Sequence, residues 1–200
     1  MNSTLSRRRF FRLAGLATLA LPLRGLAALD TSGGDEVVLL NDIHVTGIPE
    51  EKIPANAKAD GEHVRAAVKQ ILALPKKPVA VIVNGDLALQ IGTAADYAVV
   101  RELLAPLRDA GIPVHLTLGN HDVRDVFMQA FPEMKSASAL KEHRHNGIID
   151  LPSTRLILLD TLDQTPGPGG RLGAEQIAWM LAKIDEVPAK QVVLIGHHNP

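Results

Sequence analysis

The sequence predicts an α/β fold, on three observations. Short apolar runs alternate with segments whose apolar residues recur at helical spacing, the pattern of strand–helix units. Four of these runs lead directly into carboxylate, amide or imidazole side chains: 37–40 into Asn41-Asp42-Ile43-His44, 79–83 into Asn84-Gly85-Asp86, 116–118 into Gly119-Asn120-His121-Asp122, and 192–195 into Gly196-His197-His198. In open α/β sheets, ligands bind outside the carboxyl ends of the strands, where these polar clusters fall.

The bulk composition narrows the class. At 200 residues the chain can bury one real core, and 46% hydrophobic with 22% charged residues is the balance of a soluble globular protein. A formal net charge of −1 gives no electrostatic case for nucleic acid or an anionic membrane as partner. There is no cysteine, so disulfides and thiolate metal sites are excluded. Any metal must be held by Asp, His, Asn and similar ligands.

The N-terminus reads as a segment apart from the fold. Ser6-Arg7-Arg8-Arg9-Phe10-Phe11-Arg12 precedes the apolar run 13–23, which is shorter than the ~20 residues a membrane span needs. The segment resembles a twin-arginine export signal, which implies passage through that export machinery to the periplasm or beyond, with no stable membrane anchor. Gly25-Leu26-Ala27 suits cleavage after Ala27. The expected organisation is a signal at 1–27, a linker at 28–35 containing Thr31-Ser32-Gly33-Gly34, and one domain at 36–200.

The elements follow in order. A first strand is expected at 36–41, then a loop at 46–59, with Pro49 and Pro54, long enough to line a site. Asp60 caps a helix whose apolar face is Val64, Ala67, Val68, Ile71 and Leu72. After Lys76-Lys77-Pro78 comes the second strand. Thr93 and Asp96 open a helix with Tyr97, Val100, Leu104 and Leu107 on one face, kinked at Pro106 and ended by Gly111. A third strand covers 113–118, and a short helix covers 123–130, before Pro132. Two neighbouring strands are expected at 148–151 and 154–160, and a loop at 165–170. The next helix places Ile177, Met180, Leu181, Ile184 and Val187 on one face, and the last strand is 191–195.

At the strand tips, Asp42 and His44 point to one side of an extended strand end and can share a divalent cation. Asp86 can bridge two ions through its two oxygens. Asn120 offers a neutral amide oxygen, and His197 or His198 a further imidazole. Singly, an Asp-x-His pair is a common cap and a Gly-Asp pair a common turn. Four such tips in one chain point to a metal site.

The arrangement resembles the calcineurin-like metallophosphoesterase family, whose motifs run D-x-H, G-D, G-N-H-D/E, a His, and finally G-H-x-H. The match covers 36–200 and implies a two-sheet α/β/β/α sandwich. By that resemblance Asp42 and His44 bind the first metal, Asp86 bridges both, and Asn120 and His197 bind the second. His121 is the general acid, oriented by Asp122, and His198 is not a ligand. The implied cofactors are two metal ions (Mn, Fe or Zn). The implied reaction is attack of metal-activated hydroxide on a small phosphoester, diester or monoester, nucleotides included. Leu89 stands where purple acid phosphatases carry a tyrosine, which argues against that branch. Leu159-Asp160-Thr161, Gly169-Gly170-Arg171-Leu172 and the stretch 176–179 resemble the bacterial cyclic-nucleotide phosphodiesterase branch. The sequence ends at Pro200, before any G-H-x-H, so a fold incomplete at its C-terminus is expected. The alternative is an inactive metal- or partner-binding domain.

Of the other histidines, His63 is expected to be solvated and His115 to be a partnered core residue. His143 and His145, flanking Arg144, are expected to be exposed, with a role on substrate phosphate as the alternative.

Overall fold

A computed structural model describes residues 36–53, 60–134, 136–138, 140 and 143–199. The expected signal and linker at 1–35 lie outside the described residues, as does 54–59 of the first long loop.

Two three-stranded sheets carry the domain. The first holds β1 (Val37–Asn41), β2 (Ala80–Asn84) and β3 (Val114–Thr117), in that order and all parallel. Its register sets Asn41 opposite Asn84 and Asn84 opposite Thr117, so the carboxyl tips end level. In the second, β4 (Gly147–Asp150) runs antiparallel to β5 (Thr154–Leu158), and β5 parallel to β6 (Gln191–Ile195).

The uninterrupted apolar run of β2 follows from burial on both faces. Val81 and Val83 join a core with Val64, Val68, Val100 and Leu104, while Ile82 joins Leu156 and Leu158 of the second sheet. Helix α1 (Asp60–Leu72) buries Val64, Val68 and Ile71 at helical spacing. Helix α2 (Ala94–Asp109) starts at a capping box, in which the Thr93 hydroxyl accepts from Asp96 N and the Asp96 carboxylate accepts from Thr93 N. Its buried face holds Tyr97, Val100, Leu104 and Leu107, each worth about 1.5–3 kcal/mol of apolar burial. Pro106 lies inside that helix, which continues to Asp109. Helix α3 (Arg124–Ala130) sets Phe127 edge-on to Tyr97, ring centroids 5.8 Å apart.

Two apolar segments are less buried than their composition suggests. The apolar face of α4 (Ala174–Asp185) is not covered: Ile177 is 40% exposed and Leu181 52%, and the helix's one buried residue is Gln176. Strands β1 and β6 are half-exposed rather than buried, with Leu194 47% exposed. Apolar periodicity marks a face, but it does not supply a layer to cover it. No helix among the described residues is long and apolar enough to cross a membrane.

Candidate metal centre

The site forms where β1, β2, β3 and β6 end. Past Asn41 the chain does not stay extended, as the alternation argument for Asp42 and His44 required. Asp42 (φ 51°) and His44 (φ 43°) are both left-handed, as is Asp86 (φ 47°) beyond β2. Non-glycine residues rarely adopt this backbone, at a cost of about 1–3 kcal/mol each, and they persist at sites whose surroundings fix them. Here His44 N donates to Asp86 O at 3.1 Å and Val45 N to Leu87 O at 3.0 Å, so one tip braces the other.

Three imidazoles converge on one carboxylate oxygen. From Asp86 Oδ2, the Nε2 atoms of His44, His197 and His121 lie at 3.2, 3.4 and 3.9 Å. The other oxygen, Oδ1, accepts from His121 N at 2.9 Å. Two groups of potential ligands share Asp86: His44 with His121, and Asp42 with His197, all ligand atoms of a group lying within 4.8 Å of one another. This pairing separates Asp42 from His44, which the resemblance assigns to one ion. Asn120 sits half-buried in the turn between Gly119 and His121.

Two of the three rings, His197 and His121, are aimed by their second nitrogens. His197 Nδ1 lies 3.0 Å from the Asn84 carbonyl and His121 Nδ1 2.9 Å from the Leu89 carbonyl; a carbonyl only accepts, so these nitrogens carry the hydrogen and Nε2 faces the cluster. Two glycines permit the crowding. A Cβ on Gly85, which sits at φ +73°, would strike the His197 ring, and one on Gly119 would strike the Asp86 carboxylate.

Asp122, which the resemblance assigns to orienting His121, makes its side-chain hydrogen bonds elsewhere. Its fully buried carboxylate accepts from Gly119 N at 2.9 Å, Leu87 N at 3.2 Å, Ala88 N at 3.3 Å and the Tyr97 hydroxyl at 3.2 Å. The turn directs it back beneath the loop, and Leu89 takes the task of holding His121. Asp122 is a positioning residue for the β2 and β3 tips.

Electrostatics fit the geometry. Burial pushes the Asp86 carboxyl up, but hydrogen bonds from His197, His121 N and His44, with the charge on His197, hold it well below the usual carboxylate range. The hydrogen bond to Asp86 raises His197 to about 9. Burial pushes Asp122 up to about 6 against its three backbone donors. A carboxylate ringed by imidazoles, with Asp42 alongside, is a nitrogen–oxygen donor set suited to divalent transition metals.

The remaining histidines divide. His198 Nδ1 bonds Thr161 Oγ1 at 2.8 Å, outside both ligand groups. His63 is exposed on α1, and His143 is exposed at φ 50°. His145 is buried instead of exposed, and so is its neighbour Arg144. Arg144 Nη1 donates to the carbonyls of Asp160 and Arg171, and the His145 ring stacks 4.8 Å from Phe127. Asn84 was not foreseen. Its amide donates to Gly196 O at 3.2 Å and accepts from Thr117 Oγ1 at 2.9 Å, tying the two sheets at the site. The signal was there, as a polar residue closing an otherwise apolar strand.

The chain is 29% identical over 133 residues to the glycerophosphodiester phosphodiesterase GpdQ of Enterobacter lignolyticus, covering 66% of this chain and 46% of that one. It is 28% identical over 166 residues to a probable glycerophosphodiester phosphodiesterase of Arcobacter nitrofigilis, with coverage of 82% and 57%. To a probable cyclic nucleotide phosphodiesterase of Rhodopseudomonas palustris it is 31% identical over 141 residues, with coverage of 70% and 48%. The chain thus spans about half the length of the curated relatives it matches. Residues 36–200 match the family described as Calcineurin-like phosphoesterase, and the chain belongs to that family.

Proposed function

We propose that the chain hydrolyses small phosphodiesters at a two-metal centre held by Asp42, His44, Asp86, Asn120 and His197, with His121 as proton donor. The observation that carries this reading is the convergence of three imidazole Nε2 atoms on Asp86 Oδ2, at 3.2 to 3.9 Å, beside Asp42. The names of the relatives support diesters over monoesters.

When bound, Mn, Fe or Zn ions supply Lewis acidity toward the phosphoryl oxygens and a water made nucleophilic near neutral pH. The chain's own residues do the rest. Asp86, through its two oxygens, holds the donor groups in one frame. The Leu89 carbonyl fixes the His121 ring so that a proton on Nε2 points into the site. Donated to the departing alkoxide, that proton is worth roughly 10²–10⁴-fold in rate. A second role for His121 has a specific observation behind it: its Nε2 lies within ligand reach of His44 and Asp86. An inactive binding domain is the weaker reading, since it gives no use to a proton donor aimed at the cluster.

Export through the twin-arginine machinery is part of the proposal, supported by Ser6-Arg7-Arg8-Arg9-Phe10 and the short apolar run that follows. The test of the catalytic reading is hydrolysis of bis(4-nitrophenyl) phosphate by the chain with and without Mn²⁺. Mn²⁺-dependent turnover that vanishes in Asn120→Ala is expected. A folded, metal-loaded chain without turnover would overturn it.

A further inference from the structure

Among the described residues, three buried side-chain polar atoms have no hydrogen-bond partner: Arg108 Nη1, His145 Nδ1 and His198 Nε2. The last belongs to the strand-tip site. The first two belong to residues that line one cavity of about 320 Å³, walled by β3 together with Gly147 of β4 and Leu158 of β5. None of the candidate metal ligands lines it.

The two orphaned atoms have opposite needs. Arg108 Nη2 donates to the Arg101 carbonyl at 2.6 Å, leaving Nη1 a charged donor in want of an acceptor. Glu133 also lines the cavity, but its oxygens accept from Arg101, at 2.8 and 3.1 Å, and neither reaches Arg108 Nη1. His145 Nε2 lies 3.1 Å from the Leu116 carbonyl, which only accepts, so Nε2 carries the hydrogen and Nδ1 is a bare lone pair in want of a donor. Burial holds His145 and the neighbouring His115 below the ordinary imidazole range, which keeps that lone pair available at neutral pH. Arg108 Nη1 is therefore the one charged donor among these groups that lacks a hydrogen-bond acceptor, Glu133 and Asp109 acting on it only through space.

We propose that this cavity binds a small hydroxylated oxyanion, its anionic oxygen on Arg108 Nη1 and its hydroxyl on His145 Nδ1. Hydrogen phosphate, phosphomonoesters whose organic part bears a hydroxyl, and hydroxycarboxylates share this chemistry. The site is separate from the strand tips and does not rest on the catalytic reading.

The test is an NMR titration of the intact chain, following the ring nitrogens of His145 and His115 as local reporters. Inorganic phosphate, glycerol phosphate and malate are added in separate arms, with sulfate as the anion that lacks a hydroxyl donor at neutral pH. A saturable shift at His145 Nδ1 is expected with the hydroxylated anions, weaker with sulfate, and the tightest arm identifies the source. Arg108→Gln should weaken binding by about tenfold or more, the loss of one charge-assisted hydrogen bond. Absence of a saturable shift at His145 in every arm would overturn the proposal, leaving water as the only occupant. Equal affinity in a folded Arg108→Gln chain would also overturn it. If that variant does not fold, the comparison of hydroxylated anions with sulfate in the unaltered chain decides.

Discussion

His197 reaches across from the second sheet to place its Nε2 3.4 Å from the Asp86 carboxylate of the first. The contact makes the two residues unequal partners, because Asp86 belongs to both ligand groups and His197 to one. Asp86→Ala should therefore empty both metal positions, and His197→Ala one. Metal content per chain after loading and gel filtration, read by mass spectrometry, checks this. Equal loss in the two variants would remove the bridging role from Asp86.

His121→Ala should retain bound metal and lose turnover by roughly 10²–10⁴-fold, the worth of a placed general acid. Loss of metal in step with activity would identify His121 as a ligand. Measuring metal content and kcat on the same preparation separates the two.

Asp122→Ala removes the shared acceptor of three backbone N–H groups and the Tyr97 hydroxyl. A loss of about 2–3 kcal/mol in stability is expected, with a smaller loss in Asp122→Asn, which keeps one acceptor oxygen. Urea denaturation measures both. A residue that acted by orienting His121 alone would change kcat and leave the urea midpoint in place.

His145 sets a pH dependence. Burial lowers its pKa in the native state, and Arg124 and His115 add to this, while Asp160 and the Leu116 carbonyl oppose it. Below about pH 6.5 the unfolded chain takes up a proton that the native chain refuses. The contribution of this group is thus fully present above that pH and declines as pH falls. Urea midpoints at pH 7.5 and 5.5 should converge in His145→Phe relative to the unaltered chain.

Changing Arg7 and Arg8 together to lysine should hold the chain in the cytoplasm, if the N-terminal segment acts as a twin-arginine signal. Cell fractionation followed by immunoblotting reads the outcome, and unchanged export would remove that assignment.

The parts of the fold legible in the sequence were those set by local rules. The capping box of Thr93 and Asp96, the buried spacing of Val64, Val68 and Ile71, and the last strand at 191–195 need no knowledge of distant residues. The grouping of Asp42, His44, Asp86, His121 and His197 was legible because metal-ligating side chains at the tips of parallel strands serve no packing purpose. What sequence could not supply was direction. Asp122 follows His121 in the chain, yet the turn at Gly119 sends its carboxylate the other way, to Leu87 and Ala88. Asp42 and His44 are spaced for an extended strand, but the bond from His44 N to Asp86 O forms in left-handed backbone. His145 looked exposed in a polar stretch, and the long-range meetings with Phe127 and the Leu116 carbonyl bury it.

Asn84 carries a mechanical consequence. Its side chain grips Gly196 from one layer and Thr117 from the other, and its own carbonyl holds His197. The donor set is therefore a caliper whose jaws belong to different layers and whose rivet is one amide. Wear in the interlayer cluster of Ile82, Leu156 and Leu158 would open the jaws before it unfolded the domain. Metal affinity should accordingly register loosening in that core that a melting curve overlooks.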